Sequence, residues 1–282
     1  TGYYWFSIIN ELSKRFGVVR LVCPRNNRYR ILPDVADGFE KTRSIDNVDI
    51  FKNSSNVHIS PVANGSPPGV SSFAKLCGQI ALTIRFVFAF LKSAKDGDVL
   101  ICGTNPAVLI VILPLIKKFK KFKWILLIHD VFPENLVPAK ILSKRNILYM
   151  LAKRYFDFVY ATADKTIVIG RDMRDLIEKK TGRIDRTVFI PNWVDPEDVF
   201  PISKNETFLV KKLQWEEKTV FQFFGNMGRL QGINNILAAI QKVSNKNAAF
   251  LFVGDGVMGS VVNKFITEHP DLSVSHHDAV SL

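Results

Sequence analysis

Continuous apolar runs of four to six residues alternate with longer helical patterns along nearly the whole chain, and this alternation leaves few folds open. Residues 99–102 (V-L-I-C) and 124–128 (W-I-L-L-I) carry no polar interruption, the pattern of parallel strands covered on both faces. Helical segments stand around them, at 5–15 before a strand at 18–23, at 73–91 before 99–102, and at 146–156 after 124–128. A strand at 165–169, a helix at 172–180 and a strand at 187–190 continue the series. Repeated strand–helix–strand units predict doubly wound parallel sheets.

Two stretches break the rhythm. Residues 53–72 are rich in Ser, Asn, Gly and Pro and read as a long loop. In residues 191–217, Pro196 and Pro201 flank a polar, charged segment. The pattern then restarts with a strand at 219–224, a helix at 233–243, a strand at 249–253, a helix at 257–268 and a strand from about Leu272. The expected organisation is therefore two Rossmann-like domains: 1–200, a linker at 201–217, and 218–282 as the first part of the second domain. The chain opens on Thr1-Gly2 directly before a helix, so the first strand of the first sheet is expected to be missing. It closes after two to three strands of the second sheet, where about 4–6 are usual. Both ends read as those of a fragment. No internal repeat or low-complexity segment stands out.

Charge narrows the partners. Lys and Arg number 38 against 26 Asp and Glu, a formal net charge of +12, which favours polyanions such as pyrophosphate substrates, anionic lipid or nucleic acid. The lysines are dispersed and no nucleic-acid-binding motif is present, so a basic nucleic-acid module is the weaker alternative. Cys23, Cys77 and Cys102 are far apart and odd in number, which suggests neither a disulfide framework nor a zinc site and points to a reducing compartment. Lys75, Gln79 and Arg85 interrupt the apolar run 73–91, and the run 107–116 contains Pro114. The second is too short for a bilayer, which takes roughly 20 apolar residues, and no transmembrane helix is expected. His276 and His277, with Asp278 beside them, are adjacent on a strand and so point to opposite faces; no metal site is assigned.

The segment F-F-G-N-M-G-R-L-Q-G at 223–232 is the candidate for phosphate chemistry, against the competing reading of a tight strand-to-helix turn with no ligand. A strand runs into Gly225, Gly228 and Gly232, and a helix follows at once. Glycines let backbone approach a ligand closely, and a helix start offers unpaired N–H groups and a positive dipole end to an anion. Arg229 adds a cation at the same mouth. The spacing G-x-x-G-x-x-x-G departs from the G-x-G-x-x-G of dinucleotide dehydrogenases. Asp255 lies about thirty residues past Gly225, against the roughly twenty usual for a ribose-binding acid. A nicotinamide-dependent oxidoreductase, which these spacings count against, is the first alternative, ahead of the nucleic-acid module.

These residues resemble the donor-binding half of glycosyltransferase family 4, together with F-L-F-V-G-D-G at 250–256 and its Gly254 and Gly256. The segment V-F-I-P-N-W-V-D at 188–195 is similar to that family's I-P-N-G-V-D exit from the first domain. I-H-D-V-F-P-E at 128–134 resembles the D-x-x-P-E signature of its bacterial envelope-polysaccharide branch, which includes amino-sugar transferases of O-antigen and capsule assembly. Gly2 falls where the family keeps a glycine-rich loop facing the donor phosphates. The resemblance implies a GT-B fold, with two Rossmann-like domains facing a cleft. It also implies a retaining, metal-independent transfer from a nucleotide-diphosphate sugar, UDP-linked in the first expectation, to a lipid-linked or polysaccharide acceptor.

Asn226 and Gln231 stand where many relatives carry an Arg and a Lys on the pyrophosphate, so that charge is expected to pass to Arg229 or to a residue off the motif. No two glutamates stand eight apart as in the family's E-x7-E pair, and Glu268 alone follows Gly225; that donor site is expected outside this chain, and the fragment is expected to be inactive. By the same resemblance His129 faces the sugar, and Asp130 and Glu134 are the acceptor-side candidates to receive or orient an acceptor hydroxyl, Asp130 before Glu134. The competing reading for His129 is a backbone-bonded strand junction, and for the two acids helix capping. Asn192 and Asp195 read as turn formers. Lys117, Lys118, Lys120, Lys121 and Lys123, interleaved with two Phe residues, are either a solvated helix end or a contact with an anionic membrane. The second reading places the protein in the cytoplasm, peripheral on the inner face of a bacterial plasma membrane.

Overall fold

A computed structural model describes residues 2–24, 56–63, 72–138, 141–193 and 200–279. The chain divides into two compact units, Thr1–Trp193 and Val194–Leu282. The first holds α1 (Gly2–Arg15), β1 (Val19–Pro24), β2 (Val57–Val62), α2 (Ser72–Ser93), β3 (Val99–Gly103), α3 (Ala107–Phe119), β4 (Lys123–Ile128), α4 (Ile147–Thr162), β5 (Lys165–Val168), α5 (Arg171–Thr181) and β6 (Thr187–Phe189).

Strands β3, β4, β5 and β6 hydrogen-bond in sequence order and all run parallel, each crossover being a helix. The uninterrupted apolar run of β4 is the centre of this layer: Trp124, Leu126 and Ile128 are fully buried, and Leu127 on the opposite face nearly so. Ile110 and Leu113 of α3, Val159 and Tyr160 of α4 and Ile177 of α5 complete the core. Local chemistry marks the helix ends. Asn146 caps α4 by accepting the Leu148 amide at 2.8 Å, and Gly182 closes α5 in the left-handed conformation.

β1 and β2 form a separate parallel pair in which Val19 lies opposite Val57. β2 falls within the stretch 53–72 that reads as a loop. Its V-H-I-S-P-V sequence alternates, and buried Val57 packs with Ile9 and Trp5 of α1 while His58 is exposed. Tertiary packing of two apolar side chains outweighs the local Ser, Asn and Pro signals. α2 contains an 18-residue window, Leu76–Ser93, of mean hydropathy 1.4, of which only 6% is buried. By length and composition alone it is long enough to cross a membrane.

The second unit holds α6 (Phe208–Lys212), β7 (Thr219–Phe224), α7 (Ile233–Ile240), β8 (Ala248–Val253), α8 (Gly259–Glu268) and β9 (Val274–His277). Its strands are parallel in the order β7-β8-β9. Met227, Leu237, Phe252, Val262 and Val274 build one core cluster, and Val210 and Trp215 pack with Ala249, Leu251 and Val253 in another. Residues 201–217 are therefore part of this unit and not a free linker. The polar surroundings conceal Val210 and Trp215, whose burial ties the segment to the sheet.

Candidate functional site

Each unit gathers its chemistry at the carboxyl ends of its parallel strands, where open α/β sheets present ligands. In the second unit the gathering is a pair of stitched glycine turns. The Gly225 amide donates to the Val253 carbonyl at 2.9 Å and the Met227 amide to the Asp255 carbonyl at 2.7 Å, while the Met227 carbonyl accepts from Met258 at 3.0 Å. The Met227 side chain, fully buried, anchors the first turn in the core. The second turn approaches so closely that a Cβ on Gly254 would lie 2.0 Å from the Gly225 oxygen, and one on Gly256 2.5 Å from the Met227 oxygen.

This stitching leaves Asn226, Arg229 and Gln231 exposed around the mouth. Gly228 bonds back to Asn226 and Gln231 to Gly228, closing a short 3-10 turn before Gly232. Gly232 adopts φ 65°, and its carbonyl accepts the amides of Asn235 and Ile236. The amides ahead of those two precede the helical ladder of α7, at its positive dipole end. His276 on β9 supports the second turn: Nε2 donates to the Gly254 carbonyl at 3.0 Å, and Nδ1 meets Asn263 Oδ1 at 2.7 Å. His277 bonds instead to Ser275 Oγ at 3.1 Å. Among the described residues, no three or more His, Cys, Asp or Glu side chains gather as metal ligands.

In the first unit the strand ends of β3 and β4 are joined by Thr104. Its buried hydroxyl oxygen accepts the His129 amide at 3.3 Å and the Asp130 amide at 3.2 Å. Trp5 of α1 lies against the end of β3, with its ring 3.4 Å from where a Cβ on Gly103 would stand. Gly2 opens that helix. His129 is half-buried and Asp130 exposed. Burial lowers the His129 pKa below 6.5, and the neighbouring Asp130 carboxylate works in the opposite direction.

A lowered histidine pKa means the folded state disfavours the proton. Stability is therefore lost as pH falls from 6.5 through the folded value, below which the full penalty applies. An NMR titration of the His129 ring is expected to give a midpoint below 6.5, and Asp130→Asn should move it lower still by removing the opposing charge. A midpoint at or above 6.5 would contradict the burial.

Glu134 does not point a free carboxylate outward: Lys180 Nζ donates to Oε1 at 2.6 Å and to Oε2 at 2.8 Å. The five-lysine run likewise divides. Lys117 Nζ donates to the Thr162 carbonyl at 3.0 Å and pairs with Asp164, which also accepts the Trp124 amide at 2.7 Å. Lys120 Nζ donates to the Ala94 carbonyl. Both hold elements of the unit together, whereas Lys118, Lys121 and Lys123 are exposed beside Phe119. Asn192 is exposed, while Asp195 lies outside the described residues.

Sequence reasoning missed Thr104, the support that His276 gives the Gly254 turn, and the Tyr160 hydroxyl, which accepts the Phe132 amide at 2.9 Å. Thr104 carried one usable signal, its place directly after a buried strand. His276 and Tyr160 carried none, because their partners are distant in the chain.

The chain is similar to known proteins in sequence and in fold. The family model described as Glycosyltransferase Family 4 matches residues 2–198. A probable glycosyltransferase of Pseudomonas aeruginosa, WbjE, is 41% identical over 268 residues, covering 95% of this chain and 62% of that protein. The chain thus spans under two thirds of this relative's length. Among solved structures, Anabaena Alr3699/HepE in complex with UDP superposes with a TM-score of 0.56 at 13% identity, covering 83% of this chain and 59% of that one. Its complex with UDP-glucose gives 0.57 at 14% identity, with the same coverage. This likeness shows the α/β fold of GT-B glycosyltransferases. With its family model matched over most of its length, the chain belongs to glycosyltransferase family 4.

Proposed function

We propose that the protein containing this chain transfers a glycosyl group from a nucleotide-diphosphate sugar, UDP-linked, to a lipid-linked saccharide acceptor in cell-envelope polysaccharide synthesis, with retention and without a metal. The observation that carries the reading is the pair of stitched turns, Gly225–Met227 against Gly254–Gly256, beside the N-terminus of α7. Closely packed glycine turns at a helix N-terminus, with an adjacent Arg229, suit a pyrophosphate. As the glycosidic bond breaks, charge grows on the leaving diphosphate, and fixed N–H dipoles and a cation stabilise it without reorganising. His129 and Asp130, held by Thr104 at the strand ends of the first unit, are the groups of this chain available to orient the sugar and an acceptor hydroxyl. The likeness to a protein solved with UDP and with UDP-glucose is consistent with the donor.

Docking on an anionic membrane from the cytoplasmic side belongs to the same reading. It rests on exposed Lys118, Lys121 and Lys123 beside Phe119, and on the exposed apolar residues Ile84, Phe88 and Leu91 of α2. The chain just past α2 and α3 is joined by the Lys120–Ala94 bond.

The test uses the full-length enzyme and measures UDP release from a panel of UDP-sugars in EDTA, with and without membranes bearing the lipid-linked acceptor. Release that survives EDTA and needs those membranes is the expected result, and Arg229→Ala should slow it roughly 10²-fold, the scale of one lost charge-stabilising donor. Release abolished by EDTA overturns the metal-independent mechanism. Release indifferent to membranes overturns the lipid-linked acceptor, and absence of release with every donor overturns the UDP reading. The anomeric configuration of the product, read by NMR, decides between retention and inversion.

A further inference from the structure

We propose that Lys180 is a positioning residue: its buried ammonium locks Glu134 and so holds the β4–α4 loop that presents His129 and Asp130. Lys180 is the penultimate residue of α5, with a side chain only 1% exposed. A buried cation is retained only when its partners compensate its desolvation, and here they come from two other elements. Both Glu134 oxygens accept from Nζ, at 2.6 and 2.8 Å. Asp157 Oδ1 of α4 stands 2.7 Å away, outside hydrogen-bonding geometry and so as an electrostatic partner. The ammonium also lies 5.5 Å from the centre of the Tyr160 ring, a favourable cation–π position.

Asp157 is shared, since its Oδ2 accepts from Lys153 at 2.6 Å. Two cations thus meet two carboxylates, and the cluster is neutral as a whole. Such pairing suits an address better than a stability device, because geometry decides whether the buried charge is tolerated.

The loop from His129 to Glu134 is held at three points by side chains remote in sequence. Thr104 takes the amides of His129 and Asp130, the Tyr160 hydroxyl takes the Phe132 amide, and Lys180 takes the Glu134 carboxylate. Phe132 adds a stack on Phe156, with ring centroids 5.5 Å apart. Glu134 therefore acts through Lys180 on the loop's position and does not itself offer an oxygen to an acceptor. Loss of the lock should be felt at His129 and Asp130, because a misplacement of about 1 Å can cost roughly 10²-fold in rate.

The consequence for rate rests on the glycosyl-transfer reading above; the lock itself does not. The experiment compares full-length wild type with Lys180→Met, Glu134→Gln and the double variant, using two readouts. Glu134→Gln nearly preserves size and is the variant that keeps the test open if Lys180→Met does not fold. Hydrogen exchange of the peptide spanning 129–138 should quicken at least tenfold in each folded variant, while peptides from β7 and β8 stay unchanged. Turnover should fall roughly 10²-fold with donor KM within about twofold, and the double variant should lose no more than either single one.

Unchanged exchange over 129–138 in a folded variant overturns the lock, as does a double variant whose losses multiply. A lower melting temperature with wild-type kcat per folded molecule also overturns it, since that is a merely structural role. A Glu134→Gln defect confined to the acceptor KM would return that carboxylate to the acceptor. If wild type itself releases no nucleotide from any donor, the transfer reading falls, and hydrogen exchange alone decides the lock.

Discussion

Gly254→Ala should destabilise the second unit by about 2–6 kcal/mol and remove nucleotide binding with it. Two separate costs combine. Gly254 sits at φ +142°, a conformation L side chains rarely adopt, and holding a non-glycine residue in such a region costs about 1–3 kcal/mol. The added Cβ would also lie 2.0 Å from the Gly225 oxygen and 2.8 Å from its carbonyl carbon. Neither is a flexible side-chain end, so one backbone turn must move, at about 1–3 kcal/mol for overpacking. The turn that moves carries Gly225 to Gly228, the proposed pyrophosphate cradle. Urea unfolding of the purified protein, read with fluorescence-detected UDP binding, measures both losses together. Gly97→Ala is the control: φ is +88° but no atom lies within 4 Å of the new Cβ, so only conformational strain of roughly 1–2 kcal/mol is expected. Equal losses at the two positions would show that the clash between the turns is unimportant.

Trp124→Ala should cost the first unit about 3–5 kcal/mol, the range for truncating a buried aromatic residue. Trp124 is fully buried at the start of β4. Its indole N–H donates to the Cys102 sulfur at 3.2 Å, and burial pushes that thiol up to about 12, so it remains a neutral acceptor. Truncation opens a cavity in the core cluster that Trp124 shares with Ile110, Leu113 and Val159. Against a typical total of about 5–15 kcal/mol, that loss should abolish cooperative thermal unfolding near physiological temperature. Trp124→Phe keeps most of the volume and should recover more than half of the loss. A Trp124→Ala transition within a few degrees of wild type would mean that the site collapses on itself.

Most of the architecture was legible because its signals are local. Uninterrupted apolar runs marked β3, β4 and β8, and the three glycines between β7 and α7 marked the phosphate turn. What failed to show locally was set by contacts across the chain. β2 was hidden in polar surroundings because only Val57 and Ile59 pack inward toward α1. Trp215 looked like part of a linker until β8 covered it. Glu134, read as an acceptor-side acid, and Lys117 and Lys120, read as membrane contacts, all turned out to be bonded to partners about 26–47 residues away.

The sequence by itself determined the parallel α/β class, the restart into a second unit, the glycine turn at 225–232 and, through ordered motifs, the glycosyltransferase resemblance. Each of these is a matter of periodicity or spacing, which a short window of residues contains. Only the tertiary structure decided which charges are spent inside the fold and which remain at the surface. A charged side chain is identical in sequence whether solvated or paired, and its role depends on what distant elements bring within about 3 Å. By that criterion Lys180 and Thr104 became the supports of the His129–Asp130 loop, and Gly254 became the partner that shapes the turn at Gly225.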